Sequence, residues 1–270
     1  MPEEKFTYPF RYVPSPEISR ASEVLISKIA SSPHLHALFE EGKMLGVLET
    51  DKGFLYGFSG LAGGRAFVEG FVPPIFDYSA PDGYFRRREA EISAMEDGIA
   101  KGRASAQLQD WLFSQYKVLN ANGECKDIKS IFADAGVVAP GGTGDCAAPK
   151  LLQYAYLHGL HPIAMGEFWY GFPKGGQVRE QGRFYPACTG KCGLLLSFMM
   201  RGLNVEPNPL DQEFLYSEPK VLYFDDDIIM ASKPSGMLSV PGRNGNRSML
   251  DWLSGQFGEV LSCHRLDMDT

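Results

Sequence analysis

GDCAAPKLLQYAYLHGLHPIAMGEFWYG, residues 144 to 171, is the stretch that decides the fold class. The turn Gly141-Gly142-Thr143-Gly144 leads into a helical pattern, CAAPKLLQYAYLHGL, which Gly159 ends as a C′ glycine just ahead of Pro162. The PIAMGEFWYG that follows reads as a buried strand, and beyond a Gly- and Pro-rich loop CTGKCGLLLSFMMRGL reads as a further helix. Helix, strand, loop and helix in so short a span imply a mixed α/β fold.

Upstream, residues 17 to 40 place Val24, Leu25, Ile29, Leu35, Leu38 and Phe39 on a helical pattern that Pro33 breaks or kinks. From Met44 the pattern changes to MLGVLET, Asp51-Lys52-Gly53, then FLYGFSG, two apolar runs about a glycine turn, which predicts a β-hairpin. Gly60, Gly63, Gly64, Gly70 and Pro73-Pro74 mark a loop-rich stretch. Residues 84 to 116 carry Ile92, Met95, Ile99, Leu108, Leu112 and Tyr116 at helical spacing, with Gly98 and Gly102 weakening the middle, so one long helix or two shorter ones are expected. Asn122-Gly123 within KVLNANGECKDIKSIF makes a second hairpin candidate.

Downstream, Glu206 to Leu210 with Pro207 and Pro209 reads as a linker between an N-terminal α/β domain, residues 1 to 210, and a distinct segment, 211 to 270. The second segment holds ten acidic and five basic residues, a net of −5 out of the chain's −7. With 26 Lys and Arg against 33 Asp and Glu there is no basic excess to advertise non-specific phosphate binding, so an RNA partner has to be argued from a site. No apolar run is long enough for a membrane span, and Glu3, Glu4 and Lys5 interrupt the start where a secretory signal needs an apolar core, so a cytoplasmic protein without a membrane partner is expected. Five cysteines, an odd number in a chain of 270 residues, point to reduced thiols, a metal site or chemistry before a disulfide framework.

The segment VLYFDDDIIMASKPSGMLSVPGR is an apolar strand, an acidic turn at Asp225 to Asp227, a second apolar strand and a sharp Lys233-Pro234-Ser235-Gly236 turn. The chain closes on HRLDMDT, His264 to Thr270. Together these two motifs resemble the RNA pseudouridine synthases of the RluA type, whose second motif has the form H-R-L-D-x-x-T, usually continued by Ser-Gly. The resemblance covers about residues 218 to 270 and implies the start of that family's mixed catalytic sheet. It also implies that Asp267 is the catalytic carboxylate, matched around it by His264, Arg265, Leu266 and Thr270. Isomerising uridine to pseudouridine breaks a C–N glycosidic bond, turns the base and rejoins it through carbon, so a carboxylate beside the sugar and base must act as nucleophile or base. The target must leave its stack, and the resemblance gives Arg265 the task of filling the vacated space or holding a phosphate, with His264 and Lys233 as further substrate contacts. Ribosomal or transfer RNA is the implied partner, DNA is not, and the isomerisation calls for no metal or organic cofactor. Because the family motif is cut at Thr270, the chain is expected to be a fragment, inactive by itself, with an exposed sheet edge.

In the N-terminal region the order GDCAAP, helix, IAMGEFWYG, loop, PACTGKC, helix resembles the zinc deaminase fold, in which one ligand sits at the first helix and a cysteine pair at the second. The resemblance implies a zinc held by Cys146, Cys188 and Cys192, since helix N-termini favour the thiolates that zinc requires. The sequence departs from that family at Ala148, where the catalytic Glu belongs, with Glu167 as a substitute, and in its C-x-x-x-C spacing. A structural or relic zinc site is therefore expected, against the alternative of three buried structural cysteines. With it comes a second reading of the chain as an RNA- or protein-binding accessory module. A Cys146 nucleophile as in transglutaminase-like enzymes lacks a histidine anywhere from Pro162 to Cys263, and G-x-G-x-x-A at Gly142, Gly144 and Ala147 lacks a strand leading into its first glycine. A P-loop is excluded because neither Gly42-Lys43 nor Gly190-Lys191 is followed by Ser or Thr.

Overall fold

The computed structural model describes residues 5–173, 178–209, 218–242 and 248–266. It divides into two compact units, residues 1–206 and 207–270. The fold is mixed α/β with small antiparallel sheets, as the helix-strand-helix pattern predicts.

In the first unit Ser15 caps helix α1 (Pro16–Ser31) by accepting the Ile18 N–H, and Pro16 supplies the fixed φ of a first helical position. The break expected near Pro33 is real. Ser32 ends α1 in extended conformation and its hydroxyl then accepts the Leu35 N–H, starting α2 (Pro33–Phe39). Strands β1 (Lys43–Thr50) and β2 (Gly53–Phe58) form the predicted hairpin, in register from Thr50 opposite Gly53 to Leu45 opposite Phe58.

Helices α3 (Tyr84–Ser93) and α4 (Gly98–Gln115) replace the single long alternative. Asp97 breaks the run, its carboxylate accepting the Ile99 and Ala100 N–H groups as an N-cap. The short β3 (Lys117–Leu119) and β4 (Cys125–Asp127) pair around the Asn122-Gly123 turn, and Asp127 at once caps α5 (Ile128–Asp134). Helix α6 (Ala147–Leu157), strand β5 (Pro162–Tyr170) and helix α7 (Thr189–Met199) follow.

β5 does not pair with β3 or β4, the strands that precede it. It lies antiparallel along β1, with Leu45 opposite Phe168 and Gly46 opposite Glu167, so the sheet order is β2-β1-β5 and β1 is central. Alternation along the strands sends Leu45, Val47, Phe168 and Tyr170 to one face, where they pack with Ile18, Leu25 and Phe39 of α1 and α2. Leu48 and Met165 go to the other, against Leu151 and Leu152 of α6 and Leu195 and Leu196 of α7. Close approach of α6 depends on Gly46, where a Cβ would stand 2.8 Å from Leu151 Cδ1 and 2.9 Å from Ala147 Cβ.

In the second unit β6 (Lys220–Phe224) and β7 (Ile229–Ser232) form an antiparallel hairpin, Phe224 opposite Ile229 and Lys220 opposite Ser232. The acidic turn is built by Asp225, whose carboxylate accepts the Asp227 and Ile228 N–H groups. Helix α8 (Met249–Phe257) opens on a capping box in which Ser248 and Asp251 satisfy each other's backbone N–H groups. Leu222, Tyr223, Phe224 and Met230 of the hairpin are exposed, 64, 50, 63 and 54% respectively.

Candidate functional site

The two C-terminal motifs meet through one serine. After β7, the Lys233-Pro234-Ser235-Gly236 sequence closes a turn in which the Met237 N–H donates to the Pro234 carbonyl and Gly236 takes φ +88°. Met237 is driven into the core of the unit, 1% exposed, and the chain then runs beside the start of α8, where the Met249 N–H donates to Leu238 and the Leu250 N–H to Ser239. Ser239 faces the second motif. Its hydroxyl donates to the Leu266 carbonyl at 2.8 Å and accepts the Leu266 N–H at 3.1 Å. The residue immediately before Asp267 is thus held on both its backbone groups by the segment that follows the KPSG turn.

Asp267 itself lies outside the described residues, as does Thr270. His264 and Arg265 are exposed in the irregular segment after α8, and the His264 carbonyl accepts the Ser262 hydroxyl. Lys233 is half-buried, and its ammonium donates to the Pro234 and Met237 carbonyls at 3.2 and 2.9 Å, so it closes the turn. Contact with RNA through Lys233 would have to give up these bonds. Ser239 was not among the residues that the motifs single out, although a hydroxyl placed three positions after the turn glycine is the available signal.

Replacing Ser239 with Ala removes two hydrogen bonds at once. At about 1 kcal/mol or less for each in so exposed a place, the segment before Asp267 is expected to open roughly tenfold more often. Hydrogen exchange at the Leu266 amide measures this, and an unchanged rate would separate Ser239 from the positioning of the motif.

The N-terminal cysteines are not gathered as a zinc site requires. Cys146 is half-buried at the N-cap of α6 and Cys192 is completely buried in the core, whereas Cys188 is exposed and its sulfur accepts the Lys191 N–H at 3.4 Å as the N-cap of α7. Among the described residues no set of three or more His, Cys, Asp or Glu side chains is arranged to hold a metal ion. The zinc centre expected at Cys146, Cys188 and Cys192 from the order of the elements thus finds no support among the described residues.

Glu167 does reach the start of α6, its Oε1 accepting the Ala148 N–H at 3.1 Å. Burial pushes its carboxyl up to about 7, and the Ala148 N–H only partly offsets this. Lys150, one turn further along α6, is 3% exposed, donates to the Phe58 and Gly60 carbonyls and sits 5.1 Å from the centre of the Phe58 ring. Burial pulls its ammonium down to about 8, against the pull of Asp145. Neither residue stands out in the sequence as buried. The signal for Glu167 is its place between Met165 and Trp169 on the inward-facing alternation of β5.

These two groups give the first unit a distinctive pH dependence. Between pH 4.5 and about 7 the folded chain keeps a proton on Glu167 that the unfolded chain has lost, so stability falls as pH rises. Between about 8 and 10.5 the folded chain has shed a Lys150 proton that the unfolded chain keeps, so stability recovers. A trough is expected between pH 7 and 8. Glu167→Gln, a neutral isostere, is expected to match the parent at pH 4.5 and to exceed it by about 3 kcal/mol above pH 7. Urea denaturation across this range is the check, and a difference that does not grow with pH would show that Glu167 ionises freely in the folded state.

Compared with known proteins, no protein-family model matches the chain, and no solved structure matches it significantly. The chain is similar to curated proteins over a short stretch. The dual-specificity RNA pseudouridine synthase RluA of Vibrio vulnificus (strain CMCP6) is 45% identical over 53 residues, 19% of this chain and 21% of that protein. RluA of Escherichia coli (strain K12) is 44% identical over 52 residues, 18% and 24% of the two chains. RluA of Vibrio cholerae serotype O1 is 47% identical over 62 residues, 20% and 25%. The chain therefore spans about a fifth to a quarter of the curated relatives that it matches, and this local similarity agrees with the family to which the two C-terminal motifs point.

Proposed function

We propose that residues 218 to 270 belong to the catalytic domain of an RNA pseudouridine synthase, with Asp267 as its reacting carboxylate. The observation that carries the reading is the tie between the two motifs, the Ser239 hydroxyl holding both backbone groups of Leu266 and so fixing the chain that enters Asp267. The local identity to RluA proteins supports it, since a match over 18 to 20% of the chain is the size of a likeness restricted to this segment.

In this reading a uridine of ribosomal or transfer RNA is unstacked and its base presented to Asp267. The carboxylate acts as nucleophile or base while the N1–C1′ bond breaks, the base turns and C5 bonds to C1′. The C5 proton leaves and N1 gains one, so atoms balance without an oxidant, a metal or an organic cofactor. Arg265, exposed and two residues ahead, supplies a planar cation to occupy the gap or to pair with phosphate, and His264 adds a second donor. Activity in the cytoplasm goes with this substrate, and among the described residues no helix is long and apolar enough to cross a membrane.

Release of tritium from RNA labelled at uridine C5 tests the proposal in the natural protein. Release accompanied by pseudouridine in the digested RNA is the expected result. Absence of release from both ribosomal and transfer RNA would overturn the reading.

A further inference from the structure

Helices α3 and α4 pack through a small core of their own, in which Ile92, Ala104 and Leu108 are buried and Phe85, Met95 and Trp111 pack against them. Beside it lies a cavity of about 350 Å³, lined by Tyr84, Arg87, Arg88 and Glu91 of α3 and by Gln107 and Leu108 of α4. The four α3 residues fall at i, i+3, i+4 and i+7, so one face of that helix supplies the charged wall. Leu108 belongs to both the core and the cavity, and adds an apolar contact to the lining.

Most charged groups of this helix pair are already in use. Arg86 pairs with Glu89 at 2.8 Å, Arg88 with Glu91 at 2.6 Å, and the Lys101 ammonium donates to the Ser93 carbonyl at 2.9 Å. The Arg87 guanidinium and the Gln107 amide are different. Both residues are exposed, and neither side chain has a hydrogen bond or an ion pair among the described residues. Tyr84 is 49% exposed, with its ring centre 4.4 Å from that of Trp111.

We propose that this cavity is a nucleotide site, taking one nucleotide with its phosphate on Arg87 and its base against Tyr84. A guanidinium presents a planar fork of donors that matches phosphate oxygens, and that of Arg87 has no internal partner to give up. Any base can stack on an aromatic face, and Trp111 backs the Tyr84 ring. The Gln107 amide both donates and accepts, as the edge of a base or a ribose hydroxyl requires. A bare phosphate or a carboxylate would engage Arg87 and leave Tyr84 and Gln107 unused. Two guanidiniums against one carboxylate make the lining positive in a chain of net charge −7, so an anion is drawn here. The volume lies at the small end of the roughly 300 to 1,000 Å³ of ligand pockets, which suits a single nucleotide. A free mononucleotide and one residue of single-stranded RNA present the same chemistry. The site does not rest on the reading of residues 218 to 270, and binding is measured apart from any isomerisation.

The test is calorimetric titration of the full chain with uridine 5′-monophosphate, beside fluorescence anisotropy with a labelled hexauridylate. Saturable binding of one or both is expected, weakened roughly 10- to 100-fold in Arg87→Ala and about tenfold in Tyr84→Ala, with Tyr84→Phe close to the parent. Uridine, which lacks the phosphate, should not bind. Glu91→Gln releases Arg88 into the cavity and should tighten binding, whereas Glu89→Gln releases Arg86, which does not line it, and should leave affinity unchanged. Should Tyr84→Ala fail to fold, Arg87→Ala and the two glutamine variants decide. Binding of the mononucleotide alone would identify a free nucleotide as the ligand, and binding of hexauridylate alone would identify RNA. Absence of saturable binding by either probe at millimolar concentration, or equal affinities in the parent and Arg87→Ala, would overturn the proposal. So would an equal gain in Glu89→Gln and Glu91→Gln, which would mark the attraction as one of net charge only.

Discussion

In the natural protein Asp267→Asn is expected to lower tritium release from uridine-labelled RNA by roughly 100- to 10,000-fold, the range that a positioned acid or base contributes, with RNA affinity largely retained. Asn has the shape of Asp and none of its charge, so it can neither attack a sugar carbon nor take up a proton. The residue before it, Leu266, is held at its amide and its carbonyl by Ser239. The loss should therefore fall on turnover. Arg265→Ala, by contrast, should chiefly weaken binding, because its exposed side chain is free to meet RNA before any chemistry begins. Near-native turnover in Asp267→Asn would remove this carboxylate from the reaction.

A large loss of stability is expected on substitution at Gly171, just beyond β5. Its φ of +87° disfavours any other residue, and a Cβ there would stand 2.5 Å from the carbonyl oxygens of both Phe39 and Glu40. These are main-chain atoms at the end of α2, already engaged. Phe39 accepts the Gly42 N–H at 3.0 Å and Glu40 the Phe172 N–H at 2.7 Å. No rotamer change can clear the overlap, so Gly171→Ala combines backbone strain with overpacking, about 3 to 5 kcal/mol together. For a unit of this size that lowers the melting temperature by about 10 °C. Gly53→Ala is the control, since φ there is +120° but nothing lies within 4 Å of the new Cβ. It should cost only the strain, about 1 to 3 kcal/mol. Equal melting temperatures for the two variants would show that the junction of α2 with β5 yields.

What could be read in the sequence was what short-range chemistry dictates. MLGVLET and FLYGFSG flank Asp51-Lys52-Gly53 so closely that only a hairpin joins them, and Pro33 after Ser32 both stops one helix and starts another. The break between α3 and α4 was also present, in the Asp97-Gly98 pair that makes a helix start, but the continuing apolar spacing on either side concealed it. Sheet order could not be read. β1 pairs with β5 across more than a hundred residues, and no local pattern selects that partner over β3. The cysteines show the same limit at the level of atoms. Sequence places three sulfurs near two helix starts, but which of them caps its helix, as Cys188 does, and which is buried in the core, as Cys192 is, depends on the packing of α6 against α7. At the C-terminal end the motif residues were legible by type, and the serine that joins the two motifs was not, because its partner is the backbone of Leu266, which has no side-chain signature.

The central position of β1 has a consequence for synthesis. Its hairpin partner β2 follows within three residues, whereas β5, which covers its other edge, begins only at Pro162. At ribosomal rates of ~5–20 residues per second, roughly 5 to 25 s pass after β1 is made before that partner emerges. During this interval Leu45, Val47 and Leu48 present a paired but half-open sheet, with α1 and α2 already available for one face and α6 still to come for the other. The nascent first unit therefore carries an open sheet edge longest at the very strand that later becomes its centre.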